Sequence, residues 1–257
     1  MLPQIFDILQ LPPRCILDRK LPKTFFKRNF ELTTSEQKVL DDPSIVAGIH
    51  WLASISPFNA NITRFEDGQY LYEEVQIMAV QTATTDFEKN VPKIAGLVQK
   101  YIPYQILLWV YHNDEVVINT AEKRINQNDN TLRTIELQHF TLAISLNGSN
   151  KEQQDFLSSI AFAQLDKTNL KTYYNGYTQR IVSLKAASFS GIYTPRNRER
   201  TDKDLLAIQR IETLQAEITT LQNLAKKETQ LSQQVAINLQ VQEKRKQIQQ
   251  LKTLITA

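Results

Sequence analysis

The chain has 257 residues, 42% apolar and 22% charged, with six glycines and nine prolines, which fits one large or two small globular domains and excludes a low-complexity chain. A single cysteine, Cys15, excludes an internal disulfide and fits a reducing compartment, and the scattered histidines His50, His112 and His139 give no zinc-ligand spacing. The net charge of +3 is uneven: residues 1–30 carry six Lys/Arg against two Asp and residues 195–257 carry eleven Lys/Arg against seven Asp/Glu, so an acidic body of −5 lies between two basic ends of +4.

Basic ends around an acidic body place any phosphate contacts at the ends. No apolar run approaches the ~20 residues that cross a bilayer, and charged and polar residues follow Met1 closely, unlike a signal peptide. The expected setting is cytoplasmic, without membrane contact.

Pro3, Pro12, Pro13 and Pro22 punctuate the first thirty residues, so a short helix near Ile5–Leu9 is expected to lead into an extended basic arm. Thr33 followed by Glu36 has capping-box spacing and predicts a short helix to about Leu40. Residues 44–56 read as a strand ended by Pro57. Asp67-Gly68 predicts a hairpin into one long strand over residues 70–83, and Phe87, Val91, Ile94, Val98 and Tyr101 predict a helix over 87–101.

Ile102-Pro103 stops that helix. The apolar strand 105–112 then turns at Asn113-Asp114 into a strand over 115–121. Residues 132–146 alternate as another strand, ended by Asn147-Gly148. Asn150 with Gln153 caps a helix to about Leu165, and a second helix covers 169–190 with Gly191 as its C-cap. From Arg196 onward there is neither Gly nor Pro. Ile211, Leu214, Ile218 and Leu221 follow coiled-coil spacing, after which the register slips like a stutter. Either one helix of about 80 Å or a hairpin bent near Lys226–Gln230 satisfies this pattern.

The predicted fold is α+β: a mixed β-sheet with a hairpin-helix-hairpin core and flanking helices, plus a long C-terminal helical, coiled-coil-like arm. The expected division is a basic N-terminal arm over 1–30, an α/β domain over 31–194 and a C-terminal helical arm or helical hairpin over 195–257.

Two constellations bear chemistry. Asp67, Glu74 and Gln76 join a hairpin-turn carboxylate to a Glu-x-Gln strand, similar to the metal-binding core of restriction-like nucleases, where paired carboxylates hold Mg²⁺ to activate water. Gln76 stands where a lysine is usual, and Glu73 is expected on the opposite strand face. An ordinary amphipathic strand has the same pattern. The second is the polar run Lys123, Arg124, Ile125, Asn126, Gln127, Asn128 and Asp129, which offers phosphate donors and amides for a nucleic-acid or partner contact, or else a turn satisfying its own backbone. Arg196, Arg198 and Arg200 form a further basic patch, and Ile211, Leu214, Ile218 and Leu221 are the candidate partner-helix residues.

Leu21-Pro22-Lys23 with Phe26, Glu74-Val75-Gln76-Ile77, Ile102-Pro103-Tyr104, the run Lys123–Asp129 and the tail around Gln230-Leu231 and Val235–Asn238 together resemble an uncharacterised prokaryotic family catalogued as a domain of unknown function. The resemblance implies genes beside DNA methyltransferases and superfamily 2 helicases in restriction or phage-defence loci. It implies a partner role in a DNA-acting complex. Together with the heptads and the basic ends, this gives the expectation of an accessory subunit that docks a protein partner (a methyltransferase or helicase) through the C-terminal helices and contacts nucleic acid or the partner through the α/β domain, with no cofactor. The alternatives are a divergent Mg-dependent restriction-like nuclease, the one reading that requires Mg²⁺, and a structural adaptor without DNA contact.

Overall fold

The computed structural model describes residues 1–256. The chain divides into two compact units, Met1–Ile181 and Val182–Ala257.

The first unit opens with α1 (Leu2–Leu9), a 3₁₀ turn at Pro13–Cys15, the strand β1 (Ile16–Lys20) and α2 (Lys23–Asn29). Ile5, Leu9, Cys15 and Phe26 are fully buried, and β1 pairs antiparallel with β2 (Gly48–Ile55) at the sheet edge. The first thirty residues are therefore built into the fold rather than standing off as an arm. Their apolar side chains point inward and their charges line an edge strand, a common way of blunting it. Between them and β2, α3 (Thr34–Asp41) starts at the expected capping box, with Thr33 N–H donating to Glu36 Oε2 at 2.8 Å and Glu36 N–H to Thr33 Oγ1 at 3.3 Å.

After a single helical turn, α4 (Pro57–Ala60), Asp67-Gly68 closes a small hairpin of β3 (Phe65–Glu66) and β4 (Leu71–Tyr72). The long strand expected over 70–83 is interrupted: a bend at Glu73-Glu74 separates β4 from β5 (Val75–Gln81). A 3₁₀ turn at Phe87–Lys89 precedes α5 (Val91–Tyr101), with Pro92 in its first turn, where no intrahelical N–H is needed. Then follow β6 (Gln105–His112), β7 (Glu115–Ile125), β8 (Arg133–Phe140) and β9 (Ile144–Ser145). Asn113 takes the left-handed conformation at the β6–β7 turn, φ 53°. The single strand expected over 132–146 is split because Thr141 bonds Ile118 through both its backbone N–H and its Oγ1, each at 2.9 Å, which ends one ladder and begins another.

The main sheet has the order β1-β2-β5-β6-β7-β8, with β9 also on β7, and only β5 and β6 run parallel. Seven of the eight residues of β6 are buried, as befits a central strand covered on both faces. Ile106, Leu108 and Val110 pack with Ile94 and Val98 of α5 and with Phe26 and Leu40. The other face meets α7 (Leu170–Ser190), which follows α6 (Lys151–Ser159). There the Tyr174 hydroxyl reaches Ile106 O at 3.0 Å and accepts from Ala121 N–H at 2.8 Å. Burial pushes that phenol well above the usual tyrosine range.

The division between the units falls within α7, not at the expected 194/195. In the second unit α8 (Arg198–Lys227) and α9 (Leu231–Thr256) form a helical hairpin. The register slip marks its turn: no Gly or Pro is needed because Glu228 Oε1 accepts from Thr229 N–H and Gln230 N–H at 2.8 and 2.9 Å. Ile211, Leu214 and Ile218 are buried against Val241, Ile248 and Ile255, with Leu221 packed alongside. The fold is thus the expected α+β sheet with long C-terminal helices.

Candidate binding site at the end of the sheet

Parallel β5 and β6 start side by side, with Val75 paired to Gln105, and antiparallel β2 finishes beside them, with Ile55 paired to Val75. One end of the sheet therefore collects the C-terminus of β2, the bend before β5 and the Ile102-Pro103-Tyr104 entry to β6. Glu74 is held there by two donors to the same oxygen, Ser54 Oγ at 3.0 Å and Gln76 Nε2 at 2.7 Å. Gln76 is itself buried, and its Oε1 accepts the Trp51 indole N–H at 2.8 Å.

Two clefts share Glu74 and Tyr104. The wider, of about 510 Å³, is polar on one side (Ser56, Thr63, Arg64, Glu73) and has Phe58, 95% exposed, at its rim. The narrower, of about 360 Å³, is aromatic: Phe25, Phe30 and Trp51 form its walls with Leu21 and Met78, and Gln76 lies at its base. Glu73 thus stands with Glu74 at one cleft, against the expectation from strand alternation. The bend at 73–74 interrupts the two-residue period on which that expectation rested. Tyr104 is half-exposed, and its phenol is raised by burial and by the negative charge of Glu74 and Glu73.

Asp67 is not part of this group. Its Oδ1 accepts from Gln69 N–H and Tyr70 N–H at 2.9 and 2.7 Å, closing the hairpin turn, and its Oδ2 faces Lys171 at 3.5 Å. These turn bonds and Lys171 hold its carboxyl below the usual range. Glu74 and Gln76 converge, whereas Asp67 serves its own turn, and among the described residues no group of three His, Cys, Asp or Glu is placed to hold a metal ion.

The run Lys123–Asp129 divides by function. β7 continues to Ile125, which carries Lys123 inside: it is fully buried, and its Nζ donates to Ile102 O at 2.9 Å and Tyr104 O at 2.7 Å. Lys123 therefore does not reach a phosphate at the surface; it ties down the turn that presents Tyr104. Desolvation, with Arg133 nearby, pushes its pKa well below the lysine range. Arg124 pairs with Glu136 at 3.1 Å. Asn126 Oδ1 accepts from Asn128 N–H and Asp129 Oδ1 from Thr131 N–H, at 2.8 and 2.9 Å, so both side chains satisfy the turn's own backbone. Gln127 and Asn128 are left exposed.

In the second unit, Arg196 and Arg200 are engaged internally. Both pair with Asp204, 2% exposed, and both donate to the last carbonyls of α9. Arg198 alone of the three is exposed. The seam of Ile211, Leu214, Ile218 and Leu221 is filled by α9 of the same chain, so it is not open to another helix. Ser54, Trp51, Phe25 and Phe30 carry no signal in the sequence that marks them as site residues, and Tyr104 stands out there only as part of the Ile102-Pro103-Tyr104 step.

These features define a mixed α+β protein with a cleft at one sheet end and a helical hairpin as a separate unit. The chain belongs to the family described as Domain of unknown function (DUF4391), which matches residues 9–248. No curated protein and no solved structure matches it. No helix of the described residues is long and apolar enough to cross a membrane.

Proposed function

We propose that this chain is an accessory subunit of a DNA-acting restriction–modification or phage-defence complex, docking on a methyltransferase or helicase through its helical hairpin. One observation carries the reading. The hairpin fills its own seam, yet on α9 Leu231, Val235 and Leu239, four residues apart and on one side of the helix, stay 74%, 51% and 66% exposed. Contiguous exposed apolar rows of this kind mark interaction surfaces. The partner class rests on the expectation, carried by the family resemblance, that the gene lies in a restriction or phage-defence locus.

The test is light scattering on the purified full chain mixed with the methyltransferase or helicase encoded beside it. A defined complex is expected, lost when Leu231, Val235 and Leu239 are replaced together by Lys with helical content unchanged. Absence of a complex with either protein, or one indifferent to these replacements, removes the docking reading. Duplex DNA binding that weakens steeply with salt extends the role to nucleic acid; its absence reduces the chain to an adaptor.

A further inference from the structure

The narrower cleft combines aromatic walls with a carboxylate that has no counter-ion. The cations near the sheet end have other partners: Arg64 pairs with Glu66 at 3.1 Å, Arg124 with Glu136, Arg133 donates to Asn130 O and Leu132 O, and Lys123 faces carbonyls. Neither Glu73 nor Glu74 forms an ion pair among the described residues. Ser54 and Gln76 both hold Glu74 by Oε2, leaving Oε1 without a protein partner. Gln76 occupies the place where a lysine would supply a counter-charge, so Glu74 meets an amide and a hydroxyl there and no cation.

A phosphate is repelled by Glu73 and Glu74, and a neutral apolar ligand leaves Oε1 desolvated and unpaired. A cation suits both the carboxylate and the faces of Phe25, Phe30, Trp51 and Tyr104. An ammonium is compact and strongly hydrated, whereas a guanidinium is planar, weakly hydrated, stacks on rings and donates in the plane. A volume of about 360 Å³ is at the small end for ligand pockets and suits one side chain rather than an extended segment.

We propose that this cleft receives the guanidinium of an arginine side chain presented by a protein partner, with Glu74 accepting its N–H groups and the surrounding rings stacking on its plane. The partner as source rests on the docking reading above; the guanidinium contact does not, and it is tested with the chain alone, so a failure here leaves the hairpin result standing.

The full-length protein is titrated by calorimetry, and by fluorescence of Trp51 (Trp109 being fully buried), with acetyl-Gly-Arg-Gly-amide, its citrulline analogue and free arginine. Saturable binding of the arginine peptide is expected. It should weaken at least about tenfold with citrulline or in Glu74→Gln, as loss of a charge-assisted bond predicts, and by less than about twofold in Glu73→Gln. Phe25→Leu, which keeps the carboxylate and removes a ring face, should weaken it several-fold, and serves if Glu74→Gln does not fold. Equal affinity for arginine and citrulline, equal loss in Glu73→Gln and Glu74→Gln, indifference to Phe25→Leu, or no saturable binding overturns the proposal. Free arginine binding as tightly as the peptide overturns the protein source in favour of a small molecule.

Discussion

Gln76 Nε2 lies 2.7 Å from Glu74 Oε2 while the same amide's Oε1 receives the Trp51 indole N–H at 2.8 Å. The amide's orientation is forced, because a carboxylate only accepts and an indole N–H only donates. Gln76 therefore couples an aromatic wall of the cleft to its carboxylate. Replacing Gln76 by Leu leaves a half-buried indole N–H without its acceptor, and a loss of about 1–3 kcal/mol is expected in urea unfolding. In the double variant with Trp51→Phe the losses should add to less than the sum of the singles, because both report one bond. Strict additivity would show that the two side chains are not coupled.

The elements that sequence reveals are those whose cause is local. The Thr33/Glu36 and Asn150/Gln153 boxes are hydrogen-bond patterns within four residues, and both form as expected. β6 announces itself by an apolar run between Pro103 and the Asn113 turn. The site is not local. Glu73 joins Glu74 only because the strand bends between β4 and β5, and strand alternation contains no signal for a bend. Lys123 reads as a surface donor in a polar run, yet it lies inside because β7 continues four residues further than its apolar stretch. Likewise the heptads of α8 predict a partner helix without saying that the partner is α9.

Lys123 gives a pH signature. Its pKa is well below the ordinary 10.5 because it is desolvated and lies beside Arg133. The unfolded lysine keeps its proton up to 10.5 and the folded one releases it lower, so between these values the unfolded state binds more protons. Stability contributed by this residue therefore rises with pH across that window and falls as pH drops toward the folded value. As pH rises toward 10.5, wild type should gain stability relative to Lys123→Met, whose side chain does not titrate. The comparison cancels the tyrosines common to both proteins. A difference that is flat with pH would show that Lys123 is charged in the fold.

Glu36 is also depressed, so its contribution likewise rises with pH, but in the acid range. Burial raises its pKa, but hydrogen bonds from Lys100 at 2.7 Å, Tyr101 at 2.7 Å and Thr33 N–H at 2.8 Å outweigh that and hold it at about 2 instead of 4.5. A depressed carboxyl stabilises the fold above its unfolded value, and that stability is lost as pH falls through the folded value. Wild type should weaken progressively from about pH 4.5 down to about 2, while Glu36→Gln should be less stable at neutral pH and vary less across that interval. Melting curves at stepped pH decide it: parallel curves for the two proteins would mean that Glu36 titrates alike in both states.

Asp204 holds the open end of the helical hairpin. It is 2% exposed and pairs with Arg196 and with Arg200, the latter at 3.1 Å. The same two guanidinium groups cap the end of α9: Arg196 donates to Ile255 O at 2.8 Å, and Arg200 to Leu254 O at 2.7 Å and Ile255 O at 3.0 Å. The last four carbonyls of a helix have no partner within it, so these donors answer a need that the helix itself creates. Asp204 orients both arginines, and its removal leaves two cations close together without their counter-charge. Asp204→Asn should cost about 3–5 kcal/mol, as breaking a buried pair from one side does. Amide exchange should localise the effect: residues near Leu254 should exchange faster while the amides of β6 keep their protection. An equal change in β6, or none near Leu254, would show that Asp204 does not act through the α9 cap.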